Sequence, residues 1–197
     1  TGIEALDELT GGGMDDDLAL IVARLGDGKS LISAFFAYNA WISSVIEDVN
    51  KPVIFISTEM PESQIAYRLD TMRAHFSNTA LMQGKLENPE DYREYLLELE
   101  KKKNSFIILT EESNGGRAFT PQDIRKVIES ESPYLVVIDQ LYDLSDGRGT
   151  LNIRERFVNV SEDIRTLNLN TKTPMIWVGQ AGRDAAKDAI KDKNATP

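Results

Sequence analysis

The sequence predicts an α/β fold with a mainly parallel central sheet and helices on both faces. Two observations lead to this fold class. Five short apolar runs alternate with longer segments that repeat apolar residues at helical spacing. Four of these runs also lack the alternation of a half-exposed strand, as expected when both faces of a strand are buried. The 197 residues show no break in composition, so one domain over residues 1–197 is expected.

Predicted strands and helices follow one another along the chain. The strands are expected at Leu18–Ala23, Val53–Ser57, Ser105–Thr110, Tyr134–Asp139 and Met175–Gly179. The helices are expected at Ser30–Ile46, Glu62–Phe76, Pro89–Lys103, Pro121–Glu129 and Ile153–Asn168. We also expect a solvated helical hairpin over Gly84–Lys103, which is rich in Glu and Lys, and mobile loops over Gly11–Asp17, Ser113–Phe119 and Ser145–Asn152.

The overall charge and the residue types that are missing exclude several function classes. A net charge of −10 disfavours broad electrostatic adhesion to nucleic acid or anionic membrane, so a nucleic-acid role would need localised basic loops. The chain has no cysteine and one histidine, which excludes disulfides and thiolate metal sites and argues against a histidine-built zinc site. No apolar run approaches the ~18 residues of a membrane span, and no signal-peptide pattern opens the chain. A cytoplasmic protein without a membrane partner is therefore expected.

Residues 23–30 read A-R-L-G-D-G-K-S and match the phosphate-binding P-loop pattern G-x-x-x-x-G-K-S/T, with Ala23 at the first glycine position. An apolar strand precedes the motif and a helical stripe follows it, which is the context that the motif requires. The predicted nucleotide ligands are Arg24, Leu25, Gly26, Asp27, Gly28, Lys29 and Ser30. The Lys29 ammonium would hold the outer phosphates, and the Ser30 hydroxyl would bind Mg²⁺. Asp27 should weaken phosphate binding unless its carboxylate points outward.

Three polar side chains stand where other predicted strands end. Asp139 closes the run L-V-V-I-D, a pattern typical of the second magnesium ligand of P-loop enzymes, although a capping aspartate would look the same. Glu59 follows the strand after the P-loop helix and is the candidate base for the attacking water, or else a first-turn helix acid. Gln180 follows the last strand, where an amide can hydrogen-bond a γ-phosphate or simply end a strand.

Four strand-end elements in this order resemble the RecA-like ATPase (motor) domain of DnaB-type replicative DNA helicases. They read A-R-L-G-D-G-K-S, S-T-E-M-P, V-V-I-D-Q and W-V-G-Q-A-G-R, and the lead-in at residues 1–13 is also similar. The resemblance covers nearly the whole chain. It implies a RecA-like P-loop NTPase fold and an ATP- and Mg²⁺-dependent enzyme. In that enzyme Lys29 and Glu59 are catalytic, Gln180 senses the γ-phosphate, and Ser30 and Asp139 hold the metal.

The resemblance also implies partners. Family members are hexameric rings that hydrolyse ATP between subunits, translocate on single-stranded DNA, unwind duplex DNA and meet primase or loader proteins. Arg183 and the stretch from Lys187 to Lys193 would face the central channel. A second candidate DNA contact is the glycine-rich segment after Asp139, which contributes Arg148, Arg154 and Arg156; a solvated loop and helix start is the alternative.

The resemblance leaves some elements outside the chain and some functions open. The family's arginine finger and closing strands are expected after Pro197, and its N-terminal domain is not represented. A finger supplied by a neighbouring subunit is worth about 10³–10⁵ in rate in related enzymes. The alternatives are a RecA-, RadA- or KaiC-like ATPase, a non-hydrolysing helicase loader or regulator, or an interaction protein with a relic P-loop.

Overall fold

The structure is a computed structural model that describes residues 1–11, 16–49, 51–102 and 105–181. Within these ranges, five parallel strands form one sheet: Leu18–Ala23 (β1), Val53–Ser57 (β2), Phe106–Thr110 (β3), Leu135–Asp139 (β4) and Met175–Gln180 (β5). The helices of the same ranges are Glu4–Thr10 (α1), Lys29–Ile46 (α2), Glu62–Ala74 (α3), Asn78–Gln83 (α4), Pro89–Glu100 (α5), Pro121–Glu131 (α6) and Ile153–Thr171 (α7). A 3-10 turn, Leu141–Asp143, follows β4.

The strand order is β1-β5-β4-β2-β3, so chain neighbours β1 and β2 are separated by two other strands. Because all pairings are parallel, the carboxyl ends of the strands meet at one edge of the sheet. In the register of the sheet, Ser57 lies opposite Asp139, and Gln180 lies opposite Ala23. This order brings the ends of β1, β5, β4 and β2 together at the edge where the predicted site residues stand.

Strand β2 shows why the apolar runs lack alternation. All five of its residues are buried. Ile54 and Ile56 belong to the core on the side of α6 and α7, while Val53 and Phe55 belong to the core on the side of α2 and α3. Since helices cover both faces, every position of a central strand must be apolar or sealed from water. The predicted fold class is confirmed.

Helices α3 to α5 depart from the prediction. The helical hairpin expected over Gly84–Lys103 is wrong, because the described part of that region holds the single helix α5. That helix is not simply solvated either: the rings of Tyr92 and Tyr95 pack on Phe76, and both hydroxyls donate to the buried Asp70 carboxylate, at 2.6 and 2.9 Å. Because the segment is rich in Glu and Lys, its composition did not reveal that one face of α5 carries packed tyrosines.

Several boundaries also differ by a few residues. The predicted helix over residues 62–76 ends at Ala74, because His75 adopts a left-handed conformation with φ 60°. Helix α7 continues to Thr171 and ends where Lys172 does the same. Helices α1 and α4 were not predicted; both are short, and glycines in the left-handed region, Gly11 and Gly84, follow them.

Two of the segments expected to be mobile are held by internal hydrogen bonds. The Asp146 carboxylate accepts from the Arg148 N–H at 3.0 Å and from the Asn159 side chain at 3.0 Å. The Asn114 side chain donates to the carbonyls of residues 117 and 118. Most of the third segment, Gly11–Asp17, lies outside the described residues. Within the described residues, no helix is long and apolar enough to cross a membrane.

Candidate nucleotide site

The P-loop joins the end of β1 to the first residue of α2. Gly26 and Gly28 have φ angles of 87° and 80°, which a side chain would strain, while a Cβ on either would meet no other atom. Glycine is therefore required here by the backbone conformation and not by crowding. The Asp27 N–H donates to the Arg24 carbonyl at 3.2 Å, and the Asp27 carboxylate accepts from the Arg24 N–H at 3.3 Å. Asp27 thus bonds back to the start of the loop.

Lys29 and Glu59 are brought together across the sheet edge. The Lys29 ammonium lies 3.2 Å from Glu59 Oε2. Lys29 is buried, with 6% of its side chain exposed, whereas 36% of the Glu59 side chain is exposed. A buried ammonium needs a partner, and the Glu59 carboxylate supplies it. The two predicted catalytic residues therefore occupy one site.

The turn that carries Glu59 is fixed by its neighbours. The Ser57 hydroxyl donates to the Met60 carbonyl at 2.8 Å and accepts from the Met60 N–H at 3.1 Å. The Thr58 N–H donates to the carbonyl of Asp139 at 2.8 Å, which extends the β2–β4 pairing by one residue. A serine at the end of β2 thus shapes the turn, which gives the S-x-E pattern a physical reason.

Asp139 is the most unusual polar group of the site. It is completely buried, and neither carboxylate oxygen accepts a hydrogen bond of ordinary geometry. Burial raises its pKa above the usual range, although the nearby Ser30 hydroxyl and the Lys29 ammonium act to lower it. A buried carboxylate that accepts no well-formed hydrogen bond and lies near a serine hydroxyl is suited to a hard cation.

The available oxygen ligands suit Mg²⁺ better than a metal ion whose ligands all come from the protein. Mg²⁺ typically uses one or two protein oxygens and completes its octahedron with waters and phosphate oxygens. Ser30 and Asp139 supply such a pair. Within residues 1–11, 16–49, 51–102 and 105–181, no cluster of three or more His, Cys, Asp or Glu residues could hold a metal ion.

Gln180 reaches the same edge from β5. It is half-buried, and the next residue, Ala181, donates its N–H to the Ala23 carbonyl at 3.0 Å. Strand β5 lies between β1 and β4, so Gln180 ends between the start of the P-loop and the strand of Asp139. This position suits an amide that contacts both a phosphate at the P-loop and the protein groups around that phosphate.

A cleft of about 530 Å³ lies on the P-loop. Gly28, Lys29, Ser30 and Glu59, which are among the predicted site residues, line it. The cleft's other wall is formed by residues that were not predicted as nucleotide ligands: Met60, Arg68, Thr71, Met72 and Asn78. The spacing of residues 68, 71 and 72 on one face of α3 was the available signal.

Arg68 is the additional charged residue of that wall. Its guanidinium is close enough to lower the pKa of Asp139 by electrostatic attraction, and no carboxylate of the described residues forms an ion pair with it. A second cation beside Lys29 makes the cleft suited to a highly charged anion. A larger cavity of about 1110 Å³ lies elsewhere and contains none of the predicted nucleotide ligands.

The predicted DNA contacts are spread over a different part of the chain. One guanidinium nitrogen of Arg148, Nη2, lies 2.9 Å from each carboxylate oxygen of Asp163. Arg154 is exposed on the first turn of α7, which the Asn152 side chain caps, and Arg156 is partly exposed. Arg183 and Lys187 lie outside the described residues. Of these arginines, the three that the structure describes, Arg148, Arg154 and Arg156, do not line the nucleotide cleft.

Comparison with known proteins gives consistent matches over nearly the whole chain. The replicative DNA helicase DnaB of Buchnera aphidicola subsp. Schizaphis graminum is 29% identical over 204 residues, covering 97% of this chain and 40% of that protein. The helicase DnaB of Geobacillus stearothermophilus is 24% identical, covering 93% and 39%. This chain therefore spans about two fifths of the length of these relatives.

The fold comparison leads to the same group of proteins. A solved structure described as a DnaB-like replicative helicase and its interactions with primase superposes with a TM-score of 0.74 at 19% identity. The match covers 94% of this chain and 44% of that one. The family model described as the DnaB-like helicase C terminal domain matches residues 1–195. The chain belongs to the DnaB-like helicase C-terminal domain family.

Proposed function

We propose that this chain is the ATP-hydrolysing motor domain of a replicative DNA helicase. The observation that carries the proposal is the arrangement at one sheet edge. There, a fully buried carboxylate without hydrogen-bond donors, Asp139, faces the P-loop serine, and the P-loop lysine is paired with Glu59. The groups that would hold a cation, bind a phosphate and act as the base therefore lie at one edge of the sheet. Family membership and the α/β fold support the same activity.

Each residue at this sheet edge is expected to carry out one part of the reaction. When a nucleotide binds, we expect the Lys29 ammonium to leave Glu59 for the outer phosphates, because a polyphosphate carries more charge than one carboxylate. The released Glu59 carboxylate then accepts a proton from the attacking water. Ser30 and Asp139 would hold Mg²⁺, which neutralises developing charge on the phosphates. Gln180 would hydrogen-bond the γ-phosphate or its water.

The nucleotide test is a measurement of MgATP hydrolysis with and without single-stranded DNA. The protein used should include the strand expected after Pro197, because the arginine finger is expected there. Hydrolysis should vanish in Lys29→Ala together with binding, and in Glu59→Gln with binding retained. Glu62→Gln, which changes an exposed acid three residues further along, is the matched control and should keep full turnover.

The same assay separates the motor from the alternatives. Tight MgATP binding with no turnover under any condition would favour a loader or regulator that only binds nucleotide. Turnover with pairing of DNA strands on a filament would favour a recombinase-like ATPase. DNA-stimulated turnover with unwinding of a forked substrate is the result that we expect.

We further propose that single-stranded DNA, neighbouring copies of the chain in a hexameric ring, and primase or loader proteins are its partners. Among the described residues, Arg154 is the strongest candidate for a DNA contact. It is exposed at the start of α7, whereas Arg148 is already paired with Asp163. Anisotropy with a labelled oligonucleotide should show weaker binding for Arg154→Ala. The salt slope should fall by about 0.7 for each lost phosphate contact. Arg93→Ala, on exposed α5, is the control.

A further inference from the structure

Thr58 stands directly before Glu59 and connects the end of β2 to the segment after β4. Its hydroxyl accepts a hydrogen bond from the Gln140 N–H at 2.9 Å. The same oxygen lies 3.1 Å from Asp143 Oδ2 and 3.3 Å from the Gln140 carbonyl. With the Thr58 N–H bound to the Asp139 carbonyl, both the backbone and the side chain of Thr58 are tied to the neighbouring strand end.

The hydroxyl has a single proton to donate, so its two acceptors compete. The Asp143 carboxylate is both closer than the Gln140 carbonyl and charged, and a charged acceptor gives the stronger bond. The side chain therefore accepts from the Gln140 N–H and donates to Asp143. This arrangement bridges two segments that are more than 80 residues apart in the chain.

Glu59 needs such support once nucleotide is bound. The hydrogen bond from Lys29 is the one polar contact of the Glu59 carboxylate within the described residues. If Lys29 turns to a phosphate, the position of the Glu59 carboxylate depends on the backbone beneath it. That backbone is held by the Ser57 turn on one side and by Thr58 on the other.

We propose that Thr58 is a positioning residue for hydrolysis: its hydroxyl bridge to Gln140 and Asp143 fixes the Glu59 carboxylate relative to Asp139. The proposal rests on the proposed ATPase function. Misplacement of a reacting group by about 1 Å can cost about 10²-fold in rate. Loss of the bridge should therefore lower turnover and leave nucleotide affinity intact, because no nucleotide contact is assigned to Thr58.

The test compares kcat and KM for MgATP in four variants of the protein used for the hydrolysis assay. Thr58→Val, which keeps the shape and deletes the hydroxyl, should lower kcat about 10- to 100-fold with KM within about twofold. Thr58→Ser should restore kcat to within about threefold of the wild type. Asp143→Asn, which keeps an acceptor, should lose less than Thr58→Val. Thr166→Val deletes a hydroxyl bond within α7 and should change nothing.

Each outcome is decisive. An unchanged kcat in Thr58→Val, a change in KM alone, or a serine variant as slow as the valine variant would overturn the positioning role. A wild-type protein that binds MgATP without hydrolysing it would overturn the proposed enzyme activity, and the positioning role with it. Wild-type turnover with an unaffected Thr58→Val would overturn only the role of Thr58. Thermal midpoints of all four variants report whether each is folded.

Discussion

Replacing Asp139 with asparagine should stabilise the protein and weaken its response to MgATP. The carboxylate is fully buried, neither oxygen accepts a hydrogen bond of ordinary geometry, and burial raises its pKa above the usual range of an aspartate. An acid with a raised folded-state pKa contributes stability that is complete below its unfolded pKa. That contribution is lost as the pH rises through the folded pKa. At pH 7 the titration of this carboxyl therefore works against folding.

The magnitude follows from the cost of an unsatisfied buried group, about 1–3 kcal/mol and more when it is charged. The asparagine amide also needs partners, so we expect a net gain of about 1–2 kcal/mol. For a protein of this size, that corresponds to a rise in Tm of about 2–8 °C at pH 7. At a pH below 3.8 the wild-type carboxyl is already neutral, and the difference between the two proteins should shrink.

Thermal unfolding followed by calorimetry or tryptophan fluorescence measures the effect, at several pH values and with and without MgATP. MgATP should raise the wild-type Tm more than that of the Asp139→Asn variant, because the variant lacks the carboxylate that we propose as a metal ligand. Glu59→Gln is the matched control: it neutralises a partly exposed acid and removes the partner of Lys29, so its Tm should not rise. An Asp139→Asn variant with an unchanged or lower Tm at pH 7 would refute the reasoning.

Four further predictions concern parts of the fold away from Asp139. Phe55→Ala removes a fully buried ring from the central strand β2 and should cost about 3–5 kcal/mol in denaturant unfolding. Asp70→Ala removes the acceptor shared by the Tyr92 and Tyr95 hydroxyls and should cost about 2–4 kcal/mol. In the wild type, burial and Asp70 raise both tyrosine pKa values, so the phenols should ionise only at a pH well above 10 in an absorbance titration. Asp146→Ala should accelerate tryptic cleavage after position 148, because the Asp146 carboxylate holds this loop through side-chain hydrogen bonds from Thr150 and Asn159. The same two bonds keep the pKa of Asp146 well below its usual range.

The controls for the stability predictions at Phe55 and Asp70 are exposed residues of similar chemistry. Leu97→Ala on α5 and Asp91→Asn in its first turn should each change stability by less than about 0.5 kcal/mol. A small loss for Phe55→Ala would mean that the strand is not buried on both faces. Tyrosines that titrate near pH 10 would contradict the Asp70 cluster, and unchanged cleavage in Asp146→Ala would contradict the role of the loop bonds.

Local pattern was enough to locate the elements at the sheet edge. β1 and β2 begin and end where the apolar runs do. The strands that carry Asp139 and Gln180 each differ from their predicted bounds by one residue. Strands buried on both faces read as uninterrupted apolar runs, so their ends are sharply marked. The position of the P-loop was equally predictable, because its glycines adopt a backbone conformation that few other residues can adopt.

Surface helices were less predictable. Composition favoured a solvated hairpin over residues 84–103, whereas one face of α5 packs its tyrosines on α3 around Asp70. The choice depends on a partner helix that is distant in sequence, so propensity and charge could not reveal it. The bonds that hold the segment after Asp139 were missed for the same reason, since Asp163 and Asn159 lie on a different element.

The sequence by itself determined the fold class, the phosphate loop and the residue types that end each strand. These features are fixed by local periodicity and by backbone geometry. Only the tertiary structure decided which strand ends are neighbours. The order β1-β5-β4-β2-β3 places Glu59 against Lys29, buries Asp139 without donors, and sets Thr58 beside Asp143. Burial and distance across the sheet arise only when the strands pair, so the chemistry of this site is a property of the assembled sheet.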